Sequence, residues 1–476
     1  MKKRSKLLFA LFIILHIAGF LTSIRAIVDV RTSQGAIAWA ISLNTFPSIS
    51  LPAYWILGNS KFSGYVTARK AEVVEAQPIM RQLMDDFIKY GLREEENTPR
   101  ALLIQRLAKM PFTKGNTAKL LIDGEETFDA IFKGIESAKK YILVQYYILK
   151  EDKLGIKLQN ALIKKAQEGV ICLVIYDEVG SNLSKKYREA FENAGIRIYA
   201  FNTRQGKGNR FQINFRNHRK IVITDGEVAY VGGLNVGNEY LGLDPQMSPW
   251  RDTHVEVRGP VVQAVQLSFA EDWYWASKEA MPQLNWSPKQ IPGGTVTALS
   301  LPTGPADKFE TATLFFLDMI NAAEKRLWVA SPYFVPDEQI VSALQIAALK
   351  GVDVRVIIPR NPDNILVGLS AYSYLPELER AGVKVYKYNE GFMHQKVVLV
   401  DDDTSAIGTA NFDNRSFRLN FEITMAMRDK DFGKQVEKML LDDLSRSTRV
   451  SAAVYTQSHF LFRLAVSVSR LMAPLQ

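Results

Sequence analysis

The sequence predicts a duplicated α/β fold behind an N-terminal transmembrane helical hairpin. Three observations lead there. The first sixty residues hold two long uncharged stretches. The remainder alternates buried-strand and amphipathic-helix patterns. That alternation then recurs, in the same order, roughly 185 residues further on. The expected divisions are 1–60 (two membrane helices), 61–115 (a polar juxtamembrane linker), 116–295 (a first lobe) and 296–476 (a second lobe with a C-terminal helix).

The hairpin comes first. Leu7 to Ile24 carries no charge and approaches the ~17–25 residues that a spanning helix needs. Thr32 to Ser60 is again uncharged, with Trp39, Tyr54 and Trp55 as interfacial anchors. Pro47 and Pro52 interrupt it, which spanning helices tolerate when neighbours satisfy the freed backbone groups. A cleaved signal peptide is the rival reading. Its apolar core would run only ~7–15 residues, and no small-residue cleavage site follows cleanly. Lys2, Lys3, Arg4 and Lys6 precede the first stretch, and Lys61, Arg69 and Lys70 follow the second. The loop between holds only Arg25 and Arg31 around Asp29. This asymmetry predicts both termini and the large domain on the cytoplasmic side of the membrane.

Composition bounds the rest. At 476 residues there is room for two or three domains. With 47% hydrophobic and 23% charged residues, the chain is neither disordered nor a polytopic transporter. Its one cysteine, Cys172, excludes a disulfide framework and a cysteine zinc site within the chain. A net charge of +9 suits an anionic partner, either nucleic acid or an acidic membrane face.

The lobes follow in order. Ala118 to Asp123 reads as a strand, and Phe128, Ile131, Phe132 and Ile135 mark a helix face. Residues 141–149 and 170–177 are continuous apolar runs typical of buried strands, and 194–202 is a further strand. Segments 320–334, 352–359 and 381–389 echo 135–147, 170–177 and 194–202.

Two of the five histidines share one pattern. His218-Arg-Lys220 with Asp225, and His394-Gln-Lys396 with Asp401, both read H-x-K-x4-D. Chance gives one histidine that pattern about 0.4% of the time at ordinary Lys and Asp frequencies. Each motif is followed by a Gly-rich turn ending in Asn, Asn235 and Asn411. On a strand, i and i+2 share a face, so each His and Lys project together. Lys supplies charge and Asn a hydrogen bond to a phosphoryl oxygen. Two imidazoles allow one to attack phosphorus and the other to protonate the leaving alkoxide.

These paired motifs resemble those of the phospholipase D superfamily. Residues 214–226, 230–235, 250–260, 393–402 and 407–422, with the hairpin, are similar to the bacterial membrane-anchored cardiolipin synthases. The usual Gly-Ser of the superfamily stands here as Gly232-Gly233 and Gly408-Thr409. The resemblance implies transfer of a phosphatidyl group from one phosphatidylglycerol to another, giving cardiolipin and glycerol, with no metal and no nucleotide cofactor. It implies His218 as nucleophile, His394 as acid and then base, and Lys220, Lys396, Asn235 and Asn411 as the phosphate clamp. Asp225 and Asp401 are expected to orient or brace the two halves. Each histidine needs a carboxylate to fix its tautomer. Glu422 is the candidate in the second half, with Glu239 or Asp252 in the first.

The remaining features have plainer readings. His254 and Cys172 lie in strand patterns and read as core residues. Arg204, Lys207, Arg210 and Arg216 near the first motif serve either headgroup binding or a solvated loop. Leu461, Leu464, Val468 and Leu471 form a helical stripe, for which core packing is the default and an interfacial helix the alternative. Competing functions are a hydrolase of the same superfamily, either phospholipase or nuclease, and a retired enzyme serving as membrane scaffold. A nuclease gains nothing from a membrane hairpin, so no nucleic-acid partner is expected. The intact His, Lys and Asn sets argue against the scaffold.

Overall fold

The computed structural model describes every residue except 1, 31, 59–61, 95–97, 203–213, 280 and 282–283. Arg204, Lys207 and Arg210 therefore lie outside the described residues.

The first apolar stretch forms one helix, α1 (Lys2–Asp29). From Lys6 on it is long and apolar enough to cross a membrane, the one such helix among the described residues. The expected second span is instead divided into α2 (Ser33–Thr45) and α3 (Pro47–Leu57). Pro47 lacks an N–H and biases Phe46 away from helical geometry, so the break falls at Phe46 (φ −130°, ψ 59°). Ser50 Oγ spans the break by donating to Ser42 O at 2.9 Å. Pro52 sits inside α3. Both pieces pack on α1. A Cβ on Gly19 would stand 2.2 Å from Leu43 O, so this close approach requires glycine. Just beyond the hairpin, α4 (Ser63–Lys89) begins. Phe62 and Tyr65 at its start are buried against Phe215, Trp275 and Phe421. Tyr65 also donates to Asp272 at 2.9 Å. The membrane segment is thus keyed directly into the core of the large domain.

That domain is built on one 16-stranded sheet. From one edge to its middle run 197–201, 171–177, 141–146, 221–224, 228–232, 253–258 and 113–122. From the middle onward run 296–303, 420–428, 404–408, 397–400, 326–330, 353–359 and 384–388, with 447–450 added at the far edge. The second series mirrors the first strand for strand, which is the duplication the sequence predicts. The halves join where 113–122 and 296–303 pair antiparallel. Asn116 stitches the seam, donating to Val296 O at 3.1 Å and accepting from Val261 N at 2.9 Å. The parallel strands 141–146 and 171–177 are buried on both faces, which explains their unbroken apolar runs.

The histidine motifs depart from expectation. His218–Lys220 and His394–Lys396 lie just ahead of strands 221–224 and 397–400, not on them. Each approach segment has been recruited by the opposite lobe. Arg216–Asn217 pairs in parallel with Asn420–Phe421, and Phe392–Met393 with Trp250–Arg251. His218 N continues the first pairing by donating to Phe421 O (2.9 Å), and His394 N the second by donating to Arg251 O (2.7 Å).

Asp225 and Asp401 do not brace the two halves against each other. Each sits at positive φ (55° and 50°) in its own hairpin turn. Asp225 accepts from the backbone N–H groups of Lys139, Lys140 and Tyr141, and Asp401 from those of Glu324, Lys325 and Arg326. They tie each motif's hairpin to the helix-to-strand corner of the same lobe.

The C-terminal stripe is not core. Leu461, Leu464, Val468 and Leu471 are exposed, while Val466 and Ser469, on the other side of helix Phe460–Arg470, are buried.

Candidate active site

The crossed pairings bring the two motifs together at the seam. His218 Nδ1 lies 2.9 Å from Glu422 Oε2, and His394 Nδ1 lies 2.7 Å from Asp252 Oδ2. Each imidazole is therefore held by a carboxylate from the other lobe. The sequence reading placed Glu422 with its own half and left Glu239 or Asp252 for the first. The exchange follows from the recruited backbone segments, which deliver each histidine to the partner lobe's strand. Glu239 instead pairs with Lys150 at 2.5 Å and takes no part.

The two carboxylates are supported differently. Glu422 accepts from Thr409 Oγ1 (2.5 Å) and Asn420 Nδ2 (3.1 Å). Asp252 accepts from its neighbour's backbone, Thr253 N (2.8 Å), and from Trp250 Nε1 (3.4 Å). The glycine at 233 now has a reason: a Cβ there would stand 2.0 Å from Asp252 Oδ1. The hydroxyl found at 409 is excluded at 233 by the carboxylate itself.

Lys220 and Lys396 are fully enclosed, and each Nζ donates back to the carbonyl of its own motif histidine. Burial lowers both ammonium pKa values against the pull of Glu422 and Asp252, to about 7 for Lys220, where Lys396 adds repulsion, and to about 8 for Lys396. Burial also drives His218 down to about 4 despite Glu422, and His394 to about 3 with help from Lys396. Burial alone would raise the two carboxyls. The adjoining His and Lys groups outweigh it and hold Glu422 and Asp252 below the usual range. The two imidazoles are thus neutral. Each is fixed with Nδ1–H toward a carboxylate, which leaves Nε2 as the basic nitrogen.

Asn235 and Asn411 make hydrogen bonds within the protein. Asn235 accepts from Ile148 N (3.0 Å) and donates to Tyr240 OH (2.9 Å). Asn411 donates to Asp413 at 3.3 Å. His254 is a core residue, its Nδ1 accepting from Leu234 N at 3.3 Å. Cys172 is buried, and its thiol is pushed up to about 12.

Sequence reasoning missed five contributors. Tyr147 sets its ring 5.0 Å from His218 and within 5.5 Å of Lys220 Nζ. Trp250 and Phe392 flank His394 at 5.1 and 5.8 Å. Arg219 reaches Asp272 at 2.8 Å, and Arg251 reaches Asp443 at 2.7 Å. These buried ion pairs lock the backbone on either side of the seam. Charged residues in otherwise apolar surroundings were the one signal available.

Comparisons with known proteins agree with this geometry. A family model described as "Cardiolipin synthase, PLD-like domain" matches residues 131–273 and 316–444. A protein named "Cardiolipin synthase A" from Pseudomonas putida (strain GB-1) is 47% identical over 97% of this chain and 97% of its own. One of the same name from Pseudomonas fluorescens is 45% identical over 98% of each. The crystal structure of phosphatidylserine synthase from Haemophilus influenzae superposes with a TM-score of 0.61 at 15% identity. It covers 80% of this chain and 100% of that one, a likeness of fold. With the family model on both halves and such identity along nearly its whole length, the chain belongs to the PLD-like cardiolipin synthase family.

Proposed function

We propose that the protein is a cardiolipin synthase that transfers a phosphatidyl group between two phosphatidylglycerol molecules. The observation that carries this reading is the pair of enclosed imidazoles, each oriented by the opposite lobe's carboxylate, with two lysines beside them. The name printed for the relatives, cardiolipin synthase A, supports a phospholipid substrate.

The steps follow from the geometry. A phosphodiester between the lysines brings the negative charge that the depressed ammonium pKa values favour. It also lets His394 carry a proton that burial otherwise disfavours. His218 Nε2 attacks phosphorus as the bond to the glycerol oxygen breaks. His394 gives its proton to that oxygen, and glycerol leaves. The terminal hydroxyl of a second phosphatidylglycerol then yields its proton to His394 and attacks phosphorus. The P–N bond breaks, and cardiolipin forms. Asn235 and Asn411, at the ends of the motif turns, steady phosphoryl or glycerol oxygens.

Purified protein given phosphatidylglycerol should release cardiolipin and glycerol in equal amounts. Phosphatidic acid as the main product would mean that water resolves the intermediate, and the protein would be a phospholipase.

The pH dependence has a defined sign. Phosphate binding needs protonated lysines, and that form is lost as pH rises through about 7 and 8. The neutral His218 is lost only toward about 4. The kcat/KM for phosphatidylglycerol should therefore fall roughly tenfold or more between pH 6.5 and 9. A flat profile to pH 10 would place both ammoniums at ordinary values.

The chain is held at the bacterial inner membrane by α1 together with the broken pair α2 and α3, with both termini cytoplasmic. Flanking positive charge supports this orientation. Alkaline phosphatase fused after residue 476 should be inactive and a fluorescent protein bright. An active phosphatase fusion would mean that α2 and α3 do not cross.

A further inference from the structure

The stripe that core packing was expected to claim is an exposed apolar surface on the large domain. On helix Phe460–Arg470 and the turn after it, Phe460, Leu461, Leu464, Val468 and Leu471 are 66, 70, 46, 54 and 78% exposed. At 100° per residue they span one face, and Phe462, Val466 and Ser469 form the packed one. The helix lies against Ile365–Tyr372, with the Phe462 and Tyr372 rings 5.4 Å apart. That neighbour begins with its own exposed pair, Ile365 (74%) and Leu366 (48%). Monomeric surfaces rarely leave so many large apolar side chains contiguous and uncovered.

Both ends of this ridge lead back to the site. Ile365 lies two residues after Asp363, which accepts from Tyr333 OH at 2.7 Å and whose charge acts on Lys396. Beyond Leu471 the chain ends at Gln476, whose backbone oxygen accepts from Arg415 N at 2.8 Å. Arg415 lies on the short helix just after Asn411 and Asp413. The charge pattern names the occupant. From Phe460 to Gln476 there is no acidic residue, and Arg463 and Arg470 lie together along one border of the apolar face, Arg470 pairing with Glu377 at 3.6 Å while its side chain stays 43% exposed. A second copy of this helix would bring no acidic residue of its own to these arginines. An anionic bilayer offers apolar depth and phosphates at the rim. The chain is already held beside one by α1.

We propose that this ridge is a second membrane contact, seating the mouth of the active site on an anionic lipid surface. The hairpin tethers the domain, and the ridge orients it, so that a lipid moves into the site without crossing open water. The proposal rests on the lipid-transfer reading for its purpose but not for its test.

The test uses the full chain in phosphatidylglycerol-containing vesicles. Leu464→Cys carries an environment-sensitive fluorophore, and Lys350→Cys is an exposed control. The buried Cys172 does not compete for label. The Leu464 probe should shift to the blue and be quenched by lipids bearing spin labels in the acyl chain, and the Lys350 probe should not. An unquenched Leu464 probe overturns the proposal, as does a probe quenched only by a labelled second copy. A Leu464→Asp, Leu471→Asp variant should raise KM for bilayer phosphatidylglycerol roughly fivefold or more. Its turnover of a short-chain, water-soluble phosphatidylglycerol should be unchanged. Equal loss on both substrates would mark a folding defect and overturn the assignment. Quenching in a protein that makes no cardiolipin would sink the synthase reading and leave the contact standing.

Discussion

Alanine at either His218 or His394 is expected to abolish cardiolipin formation, and the two variants should fail at different points. In the proposed mechanism His218 Nε2 bonds to phosphorus, so its removal should prevent any intermediate. His394 is proposed to act on protons, a contribution worth about 10²–10⁴-fold in comparable sites. Its loss slows formation of the intermediate and slows its discharge to a lipid hydroxyl. With labelled phosphatidylglycerol, His394→Asn should hold label on the protein and His218→Asn should hold none. Label on the His218 variant instead would reverse the roles. Retention of more than a few per cent activity in either alanine variant would rule out the two-histidine mechanism.

The second large effect tests the exchange of carboxylates. Glu422→Gln and Asp252→Asn keep shape but allow the wrong tautomer, with Nε2 carrying the hydrogen. Each should lower turnover by about 10²–10⁴-fold, the scale of a misdirected acid–base imidazole. The direction of failure is the sharper readout. Glu422 belongs to the second half of the sequence yet holds His218. Glu422→Gln should therefore behave as a nucleophile defect and trap no label. Asp252 belongs to the first half yet holds His394, so Asp252→Asn should trap label. The opposite pattern would mean that each carboxylate serves its own lobe in solution.

Much of this was legible in the residues, and the exceptions share a cause. The duplication is visible because buried strands leave continuous apolar runs, and the motifs are visible because histidine is rare in this chain. The pairing of Glu422 with His218 is invisible at that level. It depends on two-residue strands, Arg216–Asn217 and Phe392–Met393, too short to leave a periodic signal. Asp225 was read as a brace between halves because its spacing excludes it from the phosphate. Only its backbone partners, Lys139 to Tyr141, show that the brace is local. The C-terminal stripe shows amphipathicity but not which face the domain covers. The uncharged run from Thr32 to Ser60 shows length, while the break at Phe46 depends on Pro47 and is spanned by the Ser50 hydroxyl reaching back to the Ser42 carbonyl.

The unlike residues at 233 and 409 bear on why two copies share one chain. An assembly of identical subunits must surround both of its imidazoles with the same atoms, since symmetry repeats every substitution twice. Covalent fusion lifts that constraint. Here one half has dropped the side chain that would strike Asp252, and the other has kept a hydroxyl that holds Glu422. Each histidine can then drift toward its own task, one toward bonding and the other toward relaying protons. A lineage that had begun as interchangeable twins would become, by single substitutions on either side of the seam, a pair of specialists.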